Sequence, residues 1–243
     1  MNDEAHPLKQ WTSARVGTGR TGGSLPHREL LGFRLDHAKA RDAVHAPFDP
    51  ASLAAELESL GHPLILAPSQ ASDRATYLQR PDLGRRLSPD GRERLIAAKG
   101  DYDLVLILAD GLSATAAHRQ GPLLLGALLP LLENWSLAPL VIAPFARVAL
   151  QDEIGSTLGA RAALILLGER PGLGSPDSLG AYLVHAPRPG NTDAKRNCVS
   201  NIRPEGLPPA AAAHRISWLL HESRRLGFSG VDLKDTSDVT RLI

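Results

Sequence analysis

The sequence predicts an α/β fold, an open and mostly parallel sheet with helices on both faces, preceded by an N-terminal helical arm. Three observations predict it. Short continuous apolar runs, "PLILA", "YDLVLILAD", "PLVIAP" and "RAALILLG", have the composition of strands covered on both sides. Stretches of helical pattern separate them, and strand alternating with helix is the signature of a parallel sheet. Before His62 there is helical pattern and no such run, which sets the first 60 residues apart as an arm.

In the arm, Arg28 to His45 places Leu31, Leu35 and Ala38 on one helical face with charges around the rest. Ser24 is the expected cap, with Pro26 tolerated in the first turn. Pro47 and Pro50 stop this helix, and "PASLAAELESLG" reads as a shorter one closed by Gly61. Between the first two strands, "SDRATYLQRPDLGRRLSPDGRERLIAAKG" is polar and helical. "PLLLGALLPLLENW" has the pattern of a buried helix, and "DEIGSTLG" that of a helix with acids in its first turn and a glycine stop. "AYLVHAP" is a further strand and "RPGNTDAKRNCVSNIRPEGL" a loop. A closing helix from about Pro209 to Leu226 lines one side with Ala212, Ile216, Leu219 and Leu220, with Arg224 and Arg225 in its last turn.

The 243 residues suffice for one large domain with an arm and can bury a sizeable core. A formal net charge of +1 gives no global footprint for nucleic acid or an anionic membrane. One cysteine, Cys198, cannot form an internal disulfide, and "MNDEAHPLKQW" has no apolar signal core. A cytoplasmic location is expected. "GPLLLGALLPLL" is broken by Gly126 and Pro130 and falls short of the roughly 20 apolar residues a bilayer span needs.

Two motifs invite chemistry and lose it on inspection. "GTGRTG", Gly17 to Gly22, matches G-x-G-x-x-G, but that motif holds a pyrophosphate only where it joins a strand to a helix, and no convincing strand precedes it. As a P-loop it carries Gly23 where lysine should meet the phosphates. A nucleotide-dependent oxidoreductase would also need a ribose-binding acid about 20 residues on, after a second strand, and Asp36 and Asp42 lie instead in a charged helix. In "DGLS", Asp110 stands at a strand end, where ligands of open α/β sheets collect, although Asp110 or Ser113 capping the next helix is the stronger reading. His37 and His45 are poorly spaced for a metal pair, and no nucleophile, base and orienter set exists. Neither a catalytic residue nor a metal site is expected from this chain.

The stretch "GERPGLGSPDS", 168–178, is the third candidate. Gly172 and Gly174 can take backbone angles closed to other residues and expose amides, and Pro171 and Pro176 stiffen the turn. Glu169 becomes a strand-end acceptor and Arg170 a donor. A plain connection with solvated side chains reads equally well from composition alone.

At these residues the chain resembles a known family, the small subunits of ethanolamine ammonia-lyase. The blocks that carry the resemblance are "ARVGTGRTGGSLPHRELLGFRLDHAKARDAVH", "RATYLQRPDLGRRL", "DGLSA", "DEIGSTLGA", "LLGERPGLGSPDSLGAYLVHAPRPGNTDAKRNCVSNIRPEGL" and "GVDLKD". They run in family order over nearly the whole chain. The resemblance implies a bacterial carbon-nitrogen lyase that converts ethanolamine to acetaldehyde and ammonia by radical rearrangement with adenosylcobalamin. It implies a hetero-oligomer in which a large TIM-barrel subunit holds the substrate. The small subunit's Rossmann-like domain, 61–243 here after the arm 1–60, contacts the corrinoid at the interface.

Family contacts to the corrinoid fall on Val148 in "ARVAL", Glu169 in "GERPGLG" and Cys198 in "RNCVSN". Apolar contact, an acceptor for the corrin's amides, and a small soft surface are the roles implied. The base-off signature D-x-H-x-x-G is absent, in line with the family's base-on mode, where the cofactor's own dimethylbenzimidazole stays on cobalt. The extension before "ARVGTG" is short beside enteric relatives, where that region directs the enzyme to a protein-shelled bacterial microcompartment. The arm is expected to pack on a partner or neighbouring subunit as well as on its own sheet. The rivals are the oxidoreductase and a non-enzymatic scaffold subunit.

Overall fold

The structure, a computed structural model, describes residues 7–10 and 15–237. Six strands, β1 (Leu64–Leu66), β2 (Tyr102–Ala109), β3 (Leu140–Ile142), β4 (Ala160–Gly168), β5 (Leu179–His185) and β6 (Arg196–Ile202), form one sheet in the order β1-β3-β2-β4-β5-β6. Seven α-helices are described: α1 (His27–His45), α2 (Pro50–Glu58), α3 (Arg74–Gln79), α4 (Pro89–Ala97), α5 (Ala114–Leu128), α6 (Leu150–Leu158) and α7 (Pro209–Leu226).

The apolar runs sit where two-sided burial puts them. Along β2, Leu104, Leu106 and Leu108 point into one core with Leu124, Leu128, Ile216 and Leu220 of α5 and α7. Val105, Ile107 and Ala109 point into the other, with Leu95 of α4 and Leu150, Ile154 and Leu158 of α6. Each fully buried leucine of this kind contributes about 1.5–3 kcal/mol. Leu53 and Leu57 of α2 join the first core. Gly159, at φ 81°, stops α6, and Gly227, at φ 77°, stops α7. No helix among the described residues is long and apolar enough to cross a membrane.

Three expectations are corrected. The sheet is mixed: β1, β3, β2 and β4 run parallel, while β5 is antiparallel to β4 and to β6. The connection 169–178 is only ten residues and has no helix, too short for the crossover that a parallel neighbour requires. The expected loop after "AYLVHAP" contains β6, an edge strand that buries Val199 and Ile202 beneath α7 and has too few apolar residues to announce itself. Helix α1 starts after Pro26 with no side-chain cap from Ser24, because Thr21 and Ser24 pair with each other in a tight turn. Its Leu31 and Leu35 stay exposed, and only Ala43 of the helix is buried.

Topology places the site. The helix after β2, α5, lies on one face of the sheet and the helix after neighbouring β3, α6, on the other. Adjacent strands whose following helices diverge leave a crevice at their carboxyl ends, the usual ligand position in such sheets.

Candidate functional site

The stretch 168–178 leaves this crevice and is tied down on every side. Gly168 is required by close approach: a Cβ there would lie 2.0 Å from the Ser113 carbonyl oxygen and 2.5 Å from that of Asp110. Gly111, at φ 52°, gives the matching clearance from the other strand end, and the Leu112 N–H donates to the Gly168 carbonyl at 2.8 Å. The Ser113 hydroxyl donates to the Pro176 carbonyl at 2.9 Å, and Arg119 reaches Asp177 at 3.2 Å. Gly172 and Gly174 do not use the left-handed angles expected of them; Gly172 instead closes a small turn by exchanging backbone hydrogen bonds with Ser175.

Glu169 is held by one oxygen. Its Oε2 accepts from the Ser178 hydroxyl and, at 3.2 Å, from the Asn201 N–H. The second bond depends on a bulge: Leu179 pairs with Ile202 and Ala181 with Val199, so β6 has one extra residue opposite Gly180. Asn201 takes φ 57° there, an angle that asparagine tolerates. Gly180 leaves room for the carboxylate, since a Cβ would come within 3.0 Å of Oε1. No hydrogen bond reaches Oε1 from the described residues, and that atom is the free acceptor.

The three expected contacts come together. Two adjoining cavities of about 440 and about 820 Å³ share Arg147, Val148 and Tyr182 as lining residues. Glu169 and Arg170 lie at one end of the combined trough; Cys198 lies at the other, with Asn191, Thr192 and Asp193. Val148, on the loop from β3 to α6, is common to both cavities. Volumes of this order suit a small molecule or cofactor.

Tyr182 and Cys198 are cross-strand partners on β5 and β6, so their side chains stand side by side on one face of the sheet. Cys198 is exposed at the residue level, but partial desolvation of its thiol pushes the pKa up, opposed by the neighbouring Tyr182 phenol and assisted by the charge of Glu169. Burial pushes the Tyr182 phenol up as well, together with Cys198 and Glu169. Both groups are therefore neutral near pH 7, and a neutral thiol is a poor metal ligand or nucleophile.

Behind the larger cavity lies a buried ion pair. Arg196, next in line but one to Cys198, contacts Asp152 at the start of α6, and the two side chains are each 3 % exposed. Asn191 donates to the second Asp152 oxygen at 3.1 Å, and Arg196 also reaches Asp193 at 3.2 Å. Burial raises the Asp152 pKa against the pull of Arg196. This pair bolts the loop carrying Asn191 and Thr192 to the core.

The other sequence candidates resolve as structure. Ser113 caps α5, accepting from the Ala116 N–H at 3.2 Å. Asp110 is buried, accepts from the Phe145 N–H at 2.7 Å and pairs with Arg74 at 3.1 Å, which shapes the loop leading to Val148. Burial pushes its carboxyl up to about 6, with Arg74 opposing. Among the described residues no strand precedes Gly17, and Asp36 pairs with Arg15. Arg147 and Tyr182, at the centre of the trough, escape a reading by motif. The available signal is proximity alone: Arg147 adjoins Val148 in "FARVAL", and Tyr182 falls opposite Cys198 once β6 is known to be a strand.

Comparison with known proteins fits this geometry. The family model described as ethanolamine ammonia-lyase light chain matches residues 2–234. Among similar proteins, the ethanolamine ammonia-lyase small subunit of Ralstonia nicotianae is 52% identical over 241 residues, covering 97% of this chain and 89% of the relative. That of Azotobacter vinelandii is 53% identical with the same coverage, and that of Rhodopseudomonas palustris is 54% identical over 233 residues, covering 95% and 89%. A match along nearly the whole length, at about half of all positions, makes this chain a member of the ethanolamine ammonia-lyase light-chain family.

Proposed function

We propose that this chain is the small subunit of an adenosylcobalamin-dependent ethanolamine ammonia-lyase and forms one wall of a corrinoid cleft whose other wall is the large subunit. The observation that carries the reading is the trough itself. Val148 lines both of two adjoining cavities, one shared with Glu169 at the strand ends and the other shared with Cys198 on the open face of β5 and β6. The residues present fit the group. Val148, Ala149 and the Tyr182 ring offer an apolar floor for a macrocycle, while Glu169 Oε1, Asn191 and Thr192 offer polar partners for its amide fringe.

When bound, the cofactor supplies homolysis of its cobalt–carbon bond, the radical chemistry of ethanolamine conversion to acetaldehyde and ammonia. This chain's residues bind and orient. Glu169 accepts from a corrin amide, Val148 excludes water beside the ring, and Cys198 presents a neutral thiol. No histidine lines the trough among the described residues, which supports a base-on cofactor that keeps its own lower ligand. The substrate lies on the large subunit. The exposed Leu31 and Leu35 of α1 favour an arm, residues 1–60, that packs against another subunit. On this reading the protein works in the cytoplasm or in a microcompartment within it.

The test is to co-produce this chain with its large subunit and titrate the complex with adenosylcobalamin, following the corrinoid absorption. The complex binds the cofactor, and Glu169→Ala weakens binding by roughly 1–3 kcal/mol, the cost of stranding a buried donor. A complex that binds no corrinoid sinks the reading; unchanged affinity in Glu169→Ala removes that residue from the site.

A further inference from the structure

The larger cavity has a surplus of positive charge that the corrin ring does not explain. Arg85, Arg147 and Arg196 line it against a single acid, Asp193. Arg196 is already neutralised by Asp152 and Asp193. Arg85 and Arg147 form no ion pair among the described residues.

Arg147 is built into place. Its N–H donates to the Gly84 carbonyl at 2.8 Å, its Nη2 donates to the Tyr77 carbonyl at 2.8 Å, and its guanidinium stacks 4.0 Å above the Tyr77 ring. Gly84 is small because a Cβ there would lie 2.9 Å from Arg147 Cγ. The Nε atom is buried with no hydrogen-bond partner. A partly buried guanidinium that is fixed in position and lacks a counter-ion among the described residues favours an anion from outside the chain.

We infer that Arg147, helped by Arg85, binds the phosphodiester of the cofactor's nucleotide tail. This rests on the corrinoid reading above. The corrin's side chains are neutral amides, so the phosphodiester is the cofactor's one anionic group, and a guanidinium fork suits it. Arg147 adjoins Val148, which sets the anion at the edge of the surface assigned to the macrocycle.

The test compares two corrinoids on the assembled two-subunit complex by spectral titration: adenosylcobalamin, and adenosylcobinamide, which lacks the nucleotide tail and its phosphate. Arg147→Gln is expected to weaken adenosylcobalamin about tenfold or more, equivalent to about 1.4 kcal/mol, and adenosylcobinamide less than about twofold, with Arg147→Lys recovering part of the loss. Equal losses for both corrinoids, or no loss for either, overturn the assignment. Subunit dissociation on gel filtration, with cofactor affinity normal once the complex is concentrated, would mean that the anion is a carboxylate of the large subunit. If Arg147→Gln fails to assemble, Arg85→Gln gives the same readout with a smaller loss of about threefold, and an equal effect on the two corrinoids again overturns the proposal. Wild-type complex that binds neither corrinoid removes the cofactor reading itself, a distinct result.

Discussion

The two halves of the sheet solve different problems. From β1 to β4 the strands are parallel, covered by helices on both faces and almost wholly apolar. From β5 to β6 they are antiparallel: α5 and α7 cover one face, and on the other Tyr182 is half-buried and Cys198 exposed. The first half obtains its stability from apolar burial and leaves no surface for a ligand except at its loop ends. The second gives up one layer of cover and holds its open face in place with polar devices, the Glu169 clasp and the Arg196–Asp152 pair. An uncovered sheet face beside a strand-end crevice is the surface that the proposed corrinoid cleft would use.

This contrast can be broken at its polar anchor. Arg196→Ala leaves Asp152 buried without its partner and is expected to cost about 3–5 kcal/mol in urea unfolding, with much of the loss recovered when Asp152→Leu is added. A loss below about 1 kcal/mol would mean that the open half is held by other contacts. In the covered half, Leu106→Ala is expected to cost about 3 kcal/mol through the cavity it leaves, while Leu35→Ala on the exposed face of α1 changes the isolated chain by less than about 0.5 kcal/mol. Similar losses at both positions would show that the arm packs on its own sheet.

A pH-dependent effect lies at the end of β2, in the covered half. The Asp110 carboxyl, pushed up to about 6 by burial against the pull of Arg74, stands above its unfolded value of about 3.9. A raised carboxylate pKa stabilises the fold fully below about pH 4 and loses that contribution as the pH rises through about 6. Wild-type stability relative to Asp110→Asn should therefore fall by about 3 kcal/mol as the pH rises across that window. A pH-independent difference would mean that Arg74 keeps Asp110 ionised throughout.

Much of the covered half is legible in the sequence because its signal is local. "YDLVLILAD" and "RAALILLG" are strands in any context that buries both faces, and Gly159 and Gly227 stop helices by backbone geometry alone. The open half is less legible. "RNCVSNI" pairs as β6 only because β5 offers an edge and α7 a cover. The direction of β5 follows from the length of its connection, which matters only once both strands are known. In the candidate site, Val148, Glu169 and Cys198 are expected from family resemblance alone. Gly168 reads as one glycine among several until the Ser113 and Asp110 carbonyls are seen 2.0 and 2.5 Å from where its Cβ would stand. Arg147 and Tyr182 have no motif, since their roles come from neighbours distant in the chain.

The sequence by itself determined an α/β chain with an amphipathic arm and an apolar two-sided core, and its resemblance to the ethanolamine ammonia-lyase light-chain family. Those properties reside in residue type and local period. Only the tertiary structure decided that the sheet turns antiparallel at "GERPGLGSPDS", that a bulge at Asn201 fastens Glu169 by one oxygen, and that Arg147 has no counter-ion among the described residues. Each depends on distances between segments far apart in the chain. Such distances are set by packing the whole sheet, and local preference does not encode them.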